Sequence, residues 1–164
     1  DFLDTLSITE RLSDEKYQLE LLSRFLVFTQ IKIKKNDELR ELGSYVTNQM
    51  RVIAASNSNN LKNAKTRFEL VFNKLNDALS DDSFRRYEKN KYGGAFKLSV
   101  FEVLALGLGQ LTLKELDLVS KEKIMEVSKQ LAKNPRYIAN SGSGKSASNR
   151  LKALINLGEA LFKS

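Results

Sequence analysis

Between Ala95 and Leu108 the chain places Phe96, Leu98, Val100, Phe101, Val103, Leu104, Leu106 and Leu108 nearly all round a helical wheel. A helix without a polar face is stable only when protein surrounds it. The apolar-rich run is also too short to cross a bilayer, which takes about 20 residues, and it carries Glu102. The segment about 95–108 is therefore predicted to be the central helix of an all-α protein. Gly107 and Gly109 are read as its end.

The rest of the chain supplies helices to pack around it, for an orthogonal bundle of about six. A helix from Asp14 to about Gln30, capped by Ser13, carries Tyr17, Leu21, Leu22, Phe25, Leu26 and Phe28 as a stripe. Ser7 and Glu10 have capping-box spacing and allow an earlier start. After the basic loop Lys32 to Lys35, Asn36 caps a helix with Leu39, Leu42, Val46, Met50 and Ile53 on one face. The polar linker Ser56 to Asn60 leads into an amphipathic helix bearing Leu61, Ala64, Phe68, Val71, Phe72, Leu75, Ala78 and Leu79. The charged segment Asp81 to Lys91 ends at the break Gly93-Gly94. A helix from about Lys121 to Lys133 is capped by Ser120 and stopped by Asn134-Pro135. A Ser/Gly loop, Asn140 to Ser148, precedes the last helix, about Asn149 to Phe162.

The 164 residues fit one helical domain, 1–164. A single Pro and eight Gly leave too few turn residues for a sandwich or barrel. The absence of Cys and His removes thiol chemistry, the usual zinc ligands and the commonest general base. No catalytic residue, metal or cofactor is expected. Asp1-Phe2-Leu3-Asp4 does not begin a signal peptide, and without an initiator Met the chain reads as a piece of a longer cytoplasmic protein.

Charge is uneven. Residues 1–24 hold three basic and six acidic side chains, whereas residues 121–164 hold nine basic and three acidic, most of the formal +7. A basic C-terminal third points to a polyanion, unless its lysines are simply a solvated face. Lys145, Arg150 and Lys152 are the first candidates for DNA phosphate contacts, with Lys133 and Arg136 next. On one helix Arg150 and Lys152 stand about 200° apart, so both cannot face one phosphate row.

Three motifs need weighing. Gly142-Ser143-Gly144-Lys145-Ser146 resembles the end of a phosphate-binding P-loop. The position where that pattern requires its first Gly is Ala139, a helix rather than a strand precedes it, and only 18 residues follow Ser146. It is read as a loop leading into a capped helix. In Arg85-Arg86-Tyr87-Glu88-Lys89-Asn90-Lys91-Tyr92, basic residues interleaved with aromatics could hold phosphates and stack on bases. Equally, Phe84 and Tyr87 could anchor the segment while the charges face water, and the anchor reading is preferred. Asp81-Asp82 is read as a turn signal rather than a metal site.

Three stretches carry a family resemblance. Glu20-Leu21-Leu22-Ser23-Arg24-Phe25-Leu26 is similar to a Glu-Leu-x-x-Arg-Phe-Leu helix; Phe84-Arg85 through Ala95-Phe96 to Val100 is similar to a Phe-Arg segment followed by an apolar helix; and the Ser/Gly loop before Arg150 is similar to a closing loop and its Arg. Together they resemble the helical C-terminal region of GmrSD-type restriction and phage-defence proteins, which carry a ParB/sulfiredoxin-like N-terminal domain. The resemblance implies a non-catalytic accessory domain that supports a nuclease or NTPase domain of the same parent chain and helps to hold DNA. It implies that Glu20, Arg24 and Arg150 are shared positions, which could serve only to pin helices together, and that of Arg150 and Lys152 it is Arg150 that is the better candidate for that role. The competing class is a helical protein–protein interaction or structural module with no nucleic-acid role.

Overall fold

The computed structural model describes residues 2–31, 39, 41–142, 144 and 146–163. The architecture is all-α, as expected, with one small antiparallel hairpin. In chain order the helices are α1 (Phe2–Thr5), α2 (Glu10–Asp14), α3 (Tyr17–Gln30), α4 (Leu42–Ala54), α5 (Ser58–Leu79), α6 (Leu98–Leu108), α7 (Leu113–Leu118), α8 (Lys121–Leu131), α9 (Pro135–Ser141) and α10 (Ala147–Lys163). A 3-10 turn, Ser80–Asp82, follows α5, and strands β1 (Arg86–Glu88) and β2 (Lys91–Gly93) precede α6.

The central helix is where the sequence put it. Every α6 residue from Val100 to Leu108 is buried, Glu102 included. Helices α3, α5 and α10 pack on it, and α8 and α9 close against α5 and α10. Aromatic rings join these layers. Phe84 meets Phe101 at a centroid distance of 5.2 Å, and Phe2 of α1 meets Phe72 of α5 edge-on at 4.7 Å.

Gly107 does not end α6. It lies inside the helix, at its crossing with Gly158 of α10. A Cβ on Gly107 would stand 2.6 Å from the Gly158 Cα, and one on Gly158 would stand 2.0 Å from the Val103 carbonyl oxygen. Two backbones touch here because neither helix carries a side chain between them. Gly109, by contrast, is the C-terminal cap, as read.

The ten α-helices among the described residues exceed the expected six, and three of the four extra ones have a visible local cause. Lys16 adopts a left-handed backbone, φ 60°, and cuts the expected first helix into α2 and α3. Thr9 caps α2, rather than Ser13 or Ser7. A complete capping box, Thr112 with Glu115, starts α7. Asn134-Pro135 stops α8 and also starts α9: Pro sits at the first helical position and the Asn134 side chain accepts from the Arg136 and Tyr137 N–H groups. The basic loop Lys32 to Lys35 and the Asn36 cap lie outside the described residues.

Between Phe84 and Phe96 the chain is not helical. Tyr87 pairs with Tyr92 and Glu88 with Lys91, and the two-residue connection Lys89-Asn90 has φ 50° and 62°. Positive φ at both positions is the type I′ geometry that matches the twist of a hairpin.

Candidate functional site

Four charged side chains meet where α3, α6 and α10 converge. Arg150 of α10 donates from Nε to Glu102 Oε2 at 2.9 Å and from Nη2 to Glu102 Oε1 at 3.0 Å. On the other side, Arg24 Nη1 lies 4.0 Å from Glu102 Oε1. Arg24 also donates from Nη2 to Glu20 Oε1 at 2.6 Å, one helical turn earlier. The forked guanidinium of Arg150 matches the two carboxylate oxygens, which makes this contact strong and directional. Burial pushes the Glu102 carboxyl above its ordinary value, opposed by the Arg150 hydrogen bonds and by the charges of Arg150 and Arg24. The hydrogen bonds to Glu102 raise the Arg150 guanidinium despite its burial. Burial likewise raises the Tyr17 hydroxyl, which sits beside the same four charges.

This arrangement gives Arg150 a structural role. Two of its guanidinium N–H groups are held by a buried carboxylate, which makes Arg150 a clamp between α10 and α6. The network holds paired charges.

The other candidates are not gathered in one place. Lys133 is exposed just beyond α8, and Arg136 is exposed on the first turn of α9. Neither forms an ion pair with a described residue. Lys152 is half-buried in a cleft with Phe28, Ile31, Gln110, Ile155, Asn156 and Glu159. Lys133 lines a different groove, between α8 and Leu161 of α10. Positions 152 and 161 are about 180° apart on α10, so Lys152 and Lys133 face opposite flanks of that helix. Lys145 lies outside the described residues, as does Ser143 of the P-loop-like segment. What precedes that segment is helix α9, which the sequence reading did not anticipate, and not a strand.

Other cations serve the fold. Arg67 of α5 donates to the carbonyls of Gly109, at 2.9 Å, and Leu111, just past the end of α6. Lys74 donates to the Asp117 and Val119 carbonyls at 2.9 and 2.8 Å, where α7 ends. Positive groups at helix C-termini satisfy orphan carbonyls and oppose the negative end of the dipole. Arg85 reaches Asp81 at 3.3 Å and Asp82 at 3.6 Å, which makes the acidic pair an anchor for the hairpin's root. Among the described residues no three His, Cys, Asp or Glu side chains converge as a metal site. No helix among them is long and apolar enough to cross a membrane.

In the segment 84–92 Phe84 is buried, in agreement with the anchor reading, while Tyr87 is half-buried against Tyr92 at a centroid distance of 4.8 Å. The role of Glu102 was missed, although a lone carboxylate in an otherwise apolar helix is itself a signal, because a buried charge requires a partner. No protein-family model, curated protein or solved structure matches the chain.

Proposed function

We propose that this chain is a non-catalytic helical accessory domain of a nucleic-acid-directed restriction or phage-defence protein. In this reading it supports a nuclease or NTPase domain of the parent chain and contacts DNA phosphates through its basic C-terminal third. The observation that carries the proposal is a division among the cations. Arg24, Arg67, Lys74, Arg85 and Arg150 are consumed by carboxylates and carbonyls of the fold. Lys133 and Arg136 remain exposed without an internal counterion. Exposed cations without an internal counterion are open to an external polyanion.

The apolar lining of a groove between α3 and α4, formed by Leu19, Leu42 and Val46, favours a second reading as a protein–protein interaction module. Salt separates the two. Duplex affinity supported by phosphate contacts falls steeply with ionic strength, because counterions are released on binding. A random-sequence duplex titrated at several salt concentrations should bind at micromolar Kd or weaker, with a clearly negative slope of log K against log salt. Absence of salt-dependent duplex binding by the intact chain would leave the protein-interaction reading in its place.

A further inference from the structure

We infer that the β1–β2 hairpin and the elbow between α8 and α9 form one binding face for the phosphate backbone of a nucleic-acid duplex, with Lys89 at its tip. The inference rests on the proposal that the domain holds DNA, and it assigns that contact to a surface whose hairpin cations lie far in sequence from the basic C-terminal third.

The hairpin is seated on α8 through its aromatic pair. Tyr87 and Tyr92 are register partners, and Lys129 Nζ lies 5.8 Å from the centre of the Tyr87 ring. Arg86, Tyr87, Ala132 and Tyr137 line one small cavity. Ala132 caps the C-terminus of α8 and Tyr137 lies in α9, so the elbow between these helices abuts the hairpin. Lys89, Lys91, Lys133 and Arg136 are exposed and make no ion pair with a described residue. Among acidic groups nearby, Glu88 is bound to Arg86 at 2.9 Å and faces Lys91 across the ladder, while Asp82 is held by Arg85. The cations Arg86, Lys89, Lys91 and Lys129 thus outnumber these carboxylates.

The turn supplies the second observation. Lys89 adopts φ 50° at the first central position of a type I′ turn, where Asn, Asp or Gly is the favoured occupant. A side chain kept at a conformational cost marks a position where the side chain itself is used. Here the cost places an ammonium group at the end of a ribbon about 10 Å long.

Duplex rather than single strand follows from the rings. Base stacking requires open aromatic faces. Tyr87 is taken by Tyr92 and Lys129, and Phe84 is buried. The face offers charge without a stacking platform, which suits sequence-independent phosphate contacts. The tip, Lys89-Asn90, carries no apolar side chain to insert into a lipid surface.

The test is fluorescence anisotropy on the full chain at several salt concentrations. The probes are a random-sequence duplex, one of its strands alone, and vesicles of anionic phospholipid. Lys89→Asn suits the turn better than lysine, and Lys91→Thr suits the strand. The double variant should keep or raise its thermal midpoint. It should nevertheless bind duplex about tenfold more weakly, with a salt slope smaller by about 2. Lys62→Gln, exposed on α5, should change affinity less than about twofold. If the double variant binds as tightly and with the same slope while Lys152→Gln loses affinity, the assigned face is wrong and the DNA proposal stands. No salt-dependent binding by the wild type removes both. Tighter binding to the single strand or to vesicles overturns the duplex assignment.

Discussion

Gly107 and Gly158 meet backbone to backbone at the crossing of α6 and α10, close enough that a Cβ on either would overlap the other helix. The nearest atoms are main chain, so no side chain can swing aside to relieve the overlap. Gly158→Ala should destabilise the domain by about 3 kcal/mol or more, at or beyond the upper end of ordinary overpacking. Gly43→Ala is the control: nothing lies within 4 Å of its Cβ position in α4, and the change should be neutral or stabilising by up to about 1 kcal/mol. Urea unfolding of both variants measures the contrast, and equal effects would contradict the close crossing.

The Arg150–Glu102 pair fixes the same two helices through charge. Arg150→Ala leaves a fully buried carboxylate without its principal partner and should cost about 3–5 kcal/mol. Replacing both partners with apolar residues, as in Glu102→Leu/Arg150→Met, should recover most of that loss, because the desolvation cost goes with the charges. Chemical denaturation of the single and double variants checks this. A double variant as damaged as Arg150→Ala would show that α6 needs Glu102 for some other reason.

Glu102 also sets a pH signature. Burial, the larger effect, holds its carboxyl above the ordinary 4.5, while Arg150 and Arg24 pull the other way. A carboxyl raised in the folded state binds its proton more tightly there than in the unfolded chain. Its stabilising contribution is full below the unfolded value and is lost as pH rises through the folded one. The stability of the wild type minus that of Glu102→Gln should therefore fall as pH climbs from about 3.5 towards neutrality. Denaturation at stepped pH gives the difference, and a rise across that window would mean that the guanidiniums outweigh burial.

Phe101 is fully buried in α6 and touches Phe84 and Phe96. Phe101→Ala should cost about 3–5 kcal/mol. A loss under about 1 kcal/mol would be incompatible with a central α6.

What was legible in the sequence follows the range of each interaction. The apolar run around Phe101 announces its burial locally, because periodicity and length decide it. Asn134-Pro135 is local too, but the same Pro ends one helix and starts the next, and only the stop was read. The Lys89-Asn90 turn lacks the Asn-Gly pattern that advertises a hairpin, and its strands have three residues each, too few to show alternation. Arg150 and Glu102 are 48 residues apart, so each could be marked as unusual but not paired. Gly107 shows the same limit: a glycine near the end of an apolar run reads as a stop until Gly158 is seen opposite it. The dispersal of Lys152 and Lys133 to opposite flanks of α10 is likewise a tertiary fact.

The central claim is that the basic residues divide into those that hold the fold and those that hold a polyanion. The most direct measurement pairs duplex affinity with unfolding free energy for two folded variants, Glu102→Leu/Arg150→Met and Lys133→Gln/Arg136→Gln. The first should keep wild-type affinity and salt slope although it lacks Arg150. The second should keep wild-type stability, bind about tenfold more weakly and lose about 2 from the slope. If removing Arg150 weakens binding while removing Lys133 and Arg136 does not, the division is wrong.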